Sequence, residues 1–224
     1  MIEQTPPHVA PRGVGRGLFV AFEGGDGAGK STQADLLARW LSDQGQEVVR
    51  TREPGGTPLG RSLRELVLHG EDGSVAPRAE ALIFAADRAQ HVATVVRPAL
   101  GRGAVVVTDR YLDSSVAYQG AARELGHDEV RDLSLWAVEE LVPDLTVLLD
   151  VEPGQGRDRR GTVPDRLERE DDSFHDRVRQ GFLALAAQDP DRYLLLDAGR
   201  PVVELAEQVR ERVRTLIAGP EGPP

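Results

Sequence analysis

The sequence predicts an α/β fold, in which five parallel strands form one sheet with helices on both faces. Short apolar runs, typical of buried strands, alternate along the chain with amphipathic helical patterns, and this alternation favours a doubly wound parallel sheet. The 224 residues are enough for one domain with a sizeable core, and we find no internal repeat and no second domain. We place this single domain at residues 17–218.

Both ends of the chain are predicted to be flexible tails. Residues 1–16 are rich in proline and glycine and lack the apolar stretch of a signal peptide. Residues 219–224 read Gly-Pro-Glu-Gly-Pro-Pro and form the second tail.

The composition limits the classes of function. The net charge is -10, which argues against nucleic-acid binding as the main activity, although arginines can still line a positive cleft for a phosphate. The chain has no cysteine, which excludes disulfides and thiol catalysis and fits a cytoplasmic protein. No apolar run reaches the length of a membrane span, so we expect no membrane partner.

The first strand is predicted at residues 18–22 and the first helix at residues 32–41, with a glycine-rich stretch between them. That stretch fits the phosphate-binding pattern of Gly, four residues, Gly-Lys and Ser or Thr. Glycines let backbone N–H groups surround an anion, and the helix amino terminus adds positive charge. The alternative is a chance glycine-rich turn. We assign ATP binding to Gly24, Gly25, Asp26, Gly27, Ala28, Gly29, Lys30, Ser31 and Thr32.

Within this loop, Lys30 is the only lysine of the chain, and the chain has no asparagine. Both facts suggest a GC-rich coding genome that disfavours these residues. Arginine is a planar fork and does not replace a compact ammonium in a tight loop. Lys30 is therefore expected to reach the terminal phosphates of a nucleotide, and the Ser31 hydroxyl to ligate magnesium.

A second strand is predicted at residues 46–51, followed by a proline- and glycine-rich turn over residues 52–57 and a helix at residues 59–68. Arg52 lies where this strand ends, beside the crevice in which parallel sheets bind ligands. It is a candidate for contacting an anion, and the alternative is an ordinary surface arginine.

After a loop at residues 70–76, a long helix is predicted from Pro77 to about residue 100. Residues 81–86 are continuously apolar, so we expect this helix to be buried on more than one side, against the core and against a second copy in a homodimer. Phe84 and Arg88 are four apart and share a face, where they suit a planar base. The alternative is a core phenylalanine beside a salt-bridged arginine.

The third strand, residues 104–108, ends in Asp109-Arg110-Tyr111. A carboxylate at the end of an apolar strand fits the magnesium side of a nucleotide site, and Arg110 is placed to bridge phosphates. Residues 114–120 then supply a dense run of hydrogen-bonding side chains. The remaining elements are predicted as helix 128–141, strand 145–151, helix 174–187, strand 193–196 and helix 201–217.

Residues 154–172 carry many arginines and acidic residues and almost no apolar ones, so we expect no contribution to the core. The segment is interpreted as a mobile lid that closes arginines over phosphates, the alternative being a solvated charged loop.

Together these stretches resemble the thymidylate kinases of bacteria, within the nucleoside monophosphate kinases that carry a P-loop. The resemblance covers roughly residues 17–217. It rests on Phe-Glu-Gly-Gly-Asp-Gly-Ala-Gly-Lys-Ser, Arg-Glu-Pro-Gly-Gly-Thr, Phe84 with Arg88, Asp-Arg-Tyr, and Ser-Ser-Val-Ala-Tyr-Gln-Gly. The family fold is a five-stranded parallel sheet, usually in a homodimer, and the reaction is ATP-dependent phosphorylation of dTMP to dTDP for dTTP synthesis.

The resemblance implies a role for each matching residue in binding dTMP. Arg52 and Arg110 would hold its phosphate. Phe84 would stack on thymine, Arg88 would donate to O4, and Ser115 and Gln119 would serve the other polar edge of the base. Tyr118 would lie by the sugar, and Asp26 would face the sugar and phosphate.

The resemblance also implies how the transferred phosphate is held. Magnesium would be bound at Ser31 and Asp109. Because the loop itself contains no arginine, the lid would supply one, and Arg160 and Arg157 are the candidates. With Lys30 and Arg110 they complete the predicted catalytic set.

Other classes of protein fit the sequence less well. Another small-molecule or nucleoside monophosphate P-loop kinase is the closest alternative. A GTP-dependent switch usually reads guanine with Asn-Lys-x-Asp, and that motif is impossible in a chain without asparagine. A nucleotide-binding module without catalysis is disfavoured by the presence of Lys30, Ser31 and Asp109.

Overall fold

The computed structural model describes residues 16–69, 74–158 and 164–218, and their sheet is the predicted one. Its five strands are all parallel, in the order β2-β3-β1-β4-β5. The strands are β1 (Phe19–Gly24), β2 (Val48–Arg52), β3 (Val105–Asp109), β4 (Leu145–Asp150) and β5 (Tyr193–Asp197).

The helices follow the predicted alternation with the strands. The long helix after Pro77 is continuous but has a π-helical segment, Val92–Val96, in its middle. The polar run after Asp109 is also helical: a short α5 leads into a second π-helical segment, Val116–Ala122. The helices are α1 (Lys30–Asp43), α2 (Pro58–Leu68), α3 (Pro77–His91), α4 (Arg97–Gly101), α5 (Leu112–Ser115), α6 (His127–Ala137), α7 (Pro153–Asp158), α8 (Asp172–Gln188) and α9 (Val202–Ala218).

Apolar side chains cover both faces of the sheet, as expected for a doubly wound fold. On one face, Val20 and Phe22 of β1 pack in a cluster with Leu37 of α1 and Val209 of α9. On the other, Phe19 packs with the helical segments between α3 and β3. All strands run in the same direction, so the carboxyl ends of β1, β2 and β3 meet at one edge of the sheet. At this edge Asp109 of β3 lies in register with Arg52 of β2 on one side and with Phe22 of β1 on the other.

Three expectations about burial need correction or remain open. Leu82 of α3 is 58% exposed, so the chain by itself does not bury the second side of this helix. The amphipathic pattern over residues 128–141 places Trp136 among the apolar positions, but its side chain is 78% exposed. The expectation that residues 154–172 contribute nothing to the core is wrong for their second half, where Arg166 and Leu167 are buried.

The predicted tails fall almost entirely outside the described residues, as do residues 159–163 of the predicted lid. Within the parts of the chain that are described, no helix combines the length and apolar character needed to span a bilayer.

Candidate active site

The glycine-rich loop turns sharply between β1 and α1. Gly24 has φ +135° and Gly27 has φ +80°, a region that side chains disfavour. A Cβ at Gly24 would lie 2.3 Å from the Leu149 carbonyl oxygen, and one at Gly27 would lie 2.0 Å from the Gly156 carbonyl oxygen. Glycine is therefore required at both positions by backbone conformation and by close approach.

Lys30 begins α1, and its ammonium group folds back over the loop. Its Nζ donates hydrogen bonds to the carbonyl oxygens of Gly24 at 3.1 Å and Gly25 at 2.7 Å. Burial and the positive charge of Arg110 lower the pKa of Lys30 to about 8. A cation held in this way is poised for an incoming polyanion, which would restore the ordinary pKa.

Ser31, in the first turn of α1, meets Asp109, the last residue of β3. The Ser31 hydroxyl donates to Asp109 Oδ2 at 2.5 Å. A hydroxyl and a carboxylate are the hard oxygen ligands that Mg²⁺ prefers, so this pair fits the predicted metal site. The guanidinium of Arg50 lies 3.9 Å from the same carboxylate.

Arg110 occupies the centre of the site in a strained backbone conformation, with φ +68°. Its guanidinium donates to Asp26 Oδ1 at 2.5 Å, to the Ser114 hydroxyl at 2.9 Å and to the Gly24 carbonyl at 3.2 Å. It also lies over the Tyr118 ring, 5.0 Å from the ring centre. These contacts connect the end of β3 to the glycine loop and fix the direction of the guanidinium.

Asp26 is the acidic residue inside the loop. Its Oδ2 accepts a hydrogen bond from the Tyr118 hydroxyl at 2.8 Å, opposite the contact with Arg110. Burial opposes its charge, but the positive charges of Arg110 and Lys30 outweigh that effect and hold the pKa of Asp26 well below its usual range. Asp26 is therefore an anion that orients two predicted ligand-binding side chains.

Sequence reasoning missed Glu23, which supports the backbone around Arg110. Its Oε1 accepts from the backbone N–H groups of Tyr111 at 2.8 Å and Ser114 at 3.1 Å, and its Oε2 accepts from the Ser114 hydroxyl at 2.5 Å. Burial and the nearby charge of Asp113 raise the pKa of Glu23 to about 7. The sequence feature that could have identified Glu23 is that it is a carboxylate within the otherwise apolar, buried strand β1.

A pocket beside the loop gathers most of the residues predicted to bind dTMP. It reaches the loop at Asp26 and Arg110, and its far end lies among side chains of α3 and the π-helical segment Val116–Ala122. The predicted residues in its wall are Asp26, Phe84, Arg88, Arg110, Ser115, Tyr118 and Gln119. Sequence reasoning missed Glu53, Pro54, Arg64, Leu68, Asp165, Leu167 and Glu168, which also line the pocket.

Arg88 combines the two interpretations offered for it. It is only 2% exposed, and its Nε donates to Glu53 Oε2 at 2.7 Å, so it is a salt-bridged core arginine. It also lines the pocket, and its Nη2 donates to the Ser115 hydroxyl and the Tyr111 carbonyl, both at 3.1 Å. These contacts hold a donor-only group at one end of the pocket.

The remaining predicted arginines are Arg52, Arg157 and Arg160, and none of them is among the described lining residues of the pocket. Arg52 is exposed at the end of β2 and is not among the lining residues, whereas Arg64 of α2 lines the pocket and donates to the Pro54 carbonyl at 3.2 Å. Burial and the positive charge of Arg52 lower the pKa of Arg64, as expected for two cations near one opening. Arg160 lies outside the described residues, as does the side chain of Arg157 in α7.

The pocket adjoins the phosphate loop, because Asp26 of the loop and the neighbouring Arg110 are both among its lining residues. Together with the parallel sheet, this arrangement defines a P-loop kinase of small phosphorylated substrates. The family model described as thymidylate kinase matches residues 22–209. The chain belongs to the thymidylate kinase family and is a phosphotransferase enzyme.

Curated relatives support the same assignment over nearly the whole chain. A thymidylate kinase of Leifsonia xyli subsp. xyli is 63% identical over 200 residues, covering 88% of this chain and 94% of the relative. One of Clavibacter sepedonicus is 61% identical over 205 residues, covering 90% and 97%. One of Gloeobacter violaceus is 50% identical over 204 residues, covering 89% and 96%. No comparison supports the alternative of a different small-molecule kinase.

Proposed function

We propose that ATP places its phosphates on the glycine loop and that dTMP occupies the adjoining pocket, with its phosphate at Arg110. The protein phosphorylates dTMP to dTDP, a step that supplies dTTP synthesis. The observation that carries this assignment is the continuity of one pocket from Phe84 and Arg88, which suit a base, to Arg110 and Asp26 at the phosphate loop. A second substrate bound there would meet the donor phosphates directly.

The acceptor in this reaction is a phosphate oxygen that is already ionised at neutral pH, so no general base is required. The task is to align two polyanions and to spread the charge of a loose transition state. Lys30 and Arg110 supply fixed positive charge at the junction. We expect Arg160 and Arg157 of the predicted lid to add to it, and that expectation stays a prediction.

Magnesium is proposed as the cofactor, held by Ser31 and Asp109. Their oxygen atoms lie together at the start of α1 and the end of β3 and suit this ion. When bound, Mg²⁺ neutralises charge on the ATP phosphates. By holding the ion, Ser31 and Asp109 would determine which ATP phosphates it neutralises and which are left to Lys30.

The proposed recognition of dTMP uses the residues already placed in the pocket wall. Phe84 stacks on thymine and Arg88 donates to O4, while Ser115 and Gln119 serve the rest of the polar edge. Tyr118 lies by the sugar with its hydroxyl held by Asp26. Arg52 is proposed to join Arg110 on the acceptor phosphate, and Arg64 is a further cation at that opening.

A homodimer is proposed from the apolar surface of two helices that pack together. Leu59 and Leu66 of α2 and Leu82 of α3 are all exposed on the isolated chain. We expect a dimer by sedimentation at micromolar concentration, and Leu82→Glu should shift it toward monomer. Val203→Glu, at a site on α9 that is 78% exposed, is the matched control. A strict wild-type monomer would contradict the proposal.

A cytoplasmic location is proposed because ATP and dTMP are available there. We propose these two nucleotides as the partners, and neither nucleic acid nor membrane.

A coupled assay of ADP release with a panel of monophosphates tests the function. We expect dTMP to be the preferred substrate and AMP and dGMP to be poor ones. For dUMP, the missing methyl should lower kcat/KM by about 10–200-fold, since one methyl in an apolar pocket is worth about 1–3 kcal/mol. Preference for AMP over dTMP would overturn the assignment.

A further inference from the structure

Glu80 is a fully buried carboxylate in the first turn of α3. It precedes Phe84 by four residues and Arg88 by eight, so the three lie along one side of the helix. Glu80 does not line the pocket, yet one side chain that does line it, Gln119, contacts it directly. The established reaction gives this buried charge no task.

The contact between Glu80 and Gln119 fixes the orientation of an amide. Gln119 Nε2 donates to Glu80 Oε1 at 2.9 Å, and Gln119 is itself buried in the pocket wall. An ionised carboxylate only accepts hydrogen bonds, so the amide nitrogen must turn toward it. The Gln119 carbonyl oxygen is then the amide atom left to accept from a ligand.

Two arginines balance the charge of Glu80 and keep it in place. Arg166 Nη2 lies 2.5 Å from Glu80 Oε2, and Arg123 Nε lies 3.3 Å from Oε1. Arg166 is further held by the carbonyl oxygen of Val67, to which its Nε donates at 2.9 Å. A buried carboxylate with these partners has little freedom to release Gln119.

The pocket therefore presents a fixed donor at Arg88 and a fixed acceptor at Gln119. Thymine carries the complementary pair, the O4 acceptor and the N3–H donor. Cytosine carries the opposite pair, an N4 amine and an unprotonated N3. A site whose buried polar groups are left unpaired rejects the wrong ligand strongly.

We propose that Glu80 is a positioning residue that sets the hydrogen-bond polarity of Gln119 and so makes the pocket select a base with an N3–H donor. This inference rests on the proposed function and goes beyond it, because Glu80 touches no substrate. Without the carboxylate, the Gln119 amide is free to turn and offer its NH₂ group to an unprotonated N3.

The test compares dTMP with 5-methyl-dCMP, which keeps the methyl group and differs only along the polar edge of the base. For wild type and Glu80→Gln, kcat/KM is measured with both nucleotides at a temperature at which thermal unfolding shows that both proteins are folded. We expect the ratio of the two kcat/KM values to fall at least about tenfold in Glu80→Gln, because one hydrogen-bonded contact has lost its fixed polarity. The loss with dTMP should appear mainly in KM.

Two further variants separate positioning from a general structural role. In a Gln119→Leu background, Glu80→Gln should change the ratio no further, because the two residues act as one unit. Arg123→Gln, which removes another partner of Glu80 but leaves the Gln119 contact, should keep the wild-type ratio.

Equal loss with both nucleotides in Glu80→Gln, or the same effect in both backgrounds, would overturn the inference. If Glu80→Gln does not fold, Glu80→Asp takes its place, because its shorter side chain keeps the negative charge but no longer reaches Gln119. An unchanged ratio of kcat/KM for dTMP to that for 5-methyl-dCMP in Glu80→Asp would then contradict the inference. Failure of wild type to use dTMP would instead contradict the proposed function.

Discussion

Lys30→Ala is expected to abolish phosphoryl transfer while leaving the fold intact. Lys30 supplies a compact cation within the glycine loop, held by the Gly24 and Gly25 carbonyls. Removing one preorganised charge-stabilising group from an active site costs about 10²–10³ in rate, and we expect at least that loss in kcat. Initial rates of ADP and dTDP formation at saturating nucleotides measure it.

The controls for Lys30 separate charge from geometry. Lys30→Arg should remain strongly impaired, because a planar guanidinium does not fit where the ammonium lies. Arg39→Ala removes an exposed cation from the same helix and should keep wild-type turnover. Near-normal kcat in Lys30→Ala, with the protein folded by circular dichroism, would contradict the assigned role.

The pH dependence of nucleotide binding gives a second readout of Lys30. Its pKa in the free enzyme is lowered to about 8, and a bound polyphosphate should raise it. ATP binding is therefore expected to take up a proton when the pH is above about 8 and much less at pH 6.5. Calorimetry in buffers of different ionisation enthalpy measures this uptake, and Lys30→Ala should eliminate it. Equal uptake in both proteins would assign the proton to another group.

Arg110→Ala is expected to reduce kcat/KM for dTMP by about 10³ or more, the range for an arginine that acts on a transferred phosphoryl group. The guanidinium contacts Asp26, Ser114 and the Gly24 carbonyl, so its removal takes away both a phosphate ligand and the link to the loop. We expect KM for dTMP to rise and kcat to fall, with a smaller change in KM for ATP.

Arg110→Lys should recover only part of the activity, since it keeps the charge but not the several directed donors. Arg102→Ala is the matched control: it removes an exposed arginine that follows α4 and contacts Glu47, away from the pocket residues. Loss of ATP affinity in Arg110→Ala with unchanged use of dTMP would show that Arg110 belongs to the donor side instead.

Much of the fold was predictable from local patterns. The strand, the glycine loop and the helix that starts at Lys30 are adjacent in sequence, and each has its own periodicity or spacing. The five strands and their parallel direction follow from their alternation with helices. Phe84 and Arg88 were found because helical spacing places residues four apart on one face.

The residues that were missed act across long distances in the chain. Glu23, Glu53 and Glu80 are buried carboxylates whose partners lie 35 or more positions away, and sequence spacing says nothing of such contacts. The Glu53–Arg88 and Glu80–Arg166 pairs are separated by 35 and 86 positions. The contact with Glu80 explains why Arg166 is buried, although a charged segment was expected to stay outside the core.

By itself, the sequence determined the parallel α/β fold, the phosphate loop with Lys30 and Ser31, and the resemblance to thymidylate kinases. Each of these depends on neighbouring residues whose chemistry is local. Only the tertiary structure decided that Arg64 lines the pocket, that Glu23 supports the strained turn at Arg110 and that Glu80 orients Gln119. A buried charge is stable only with its partner, and the fold alone brings those partners together.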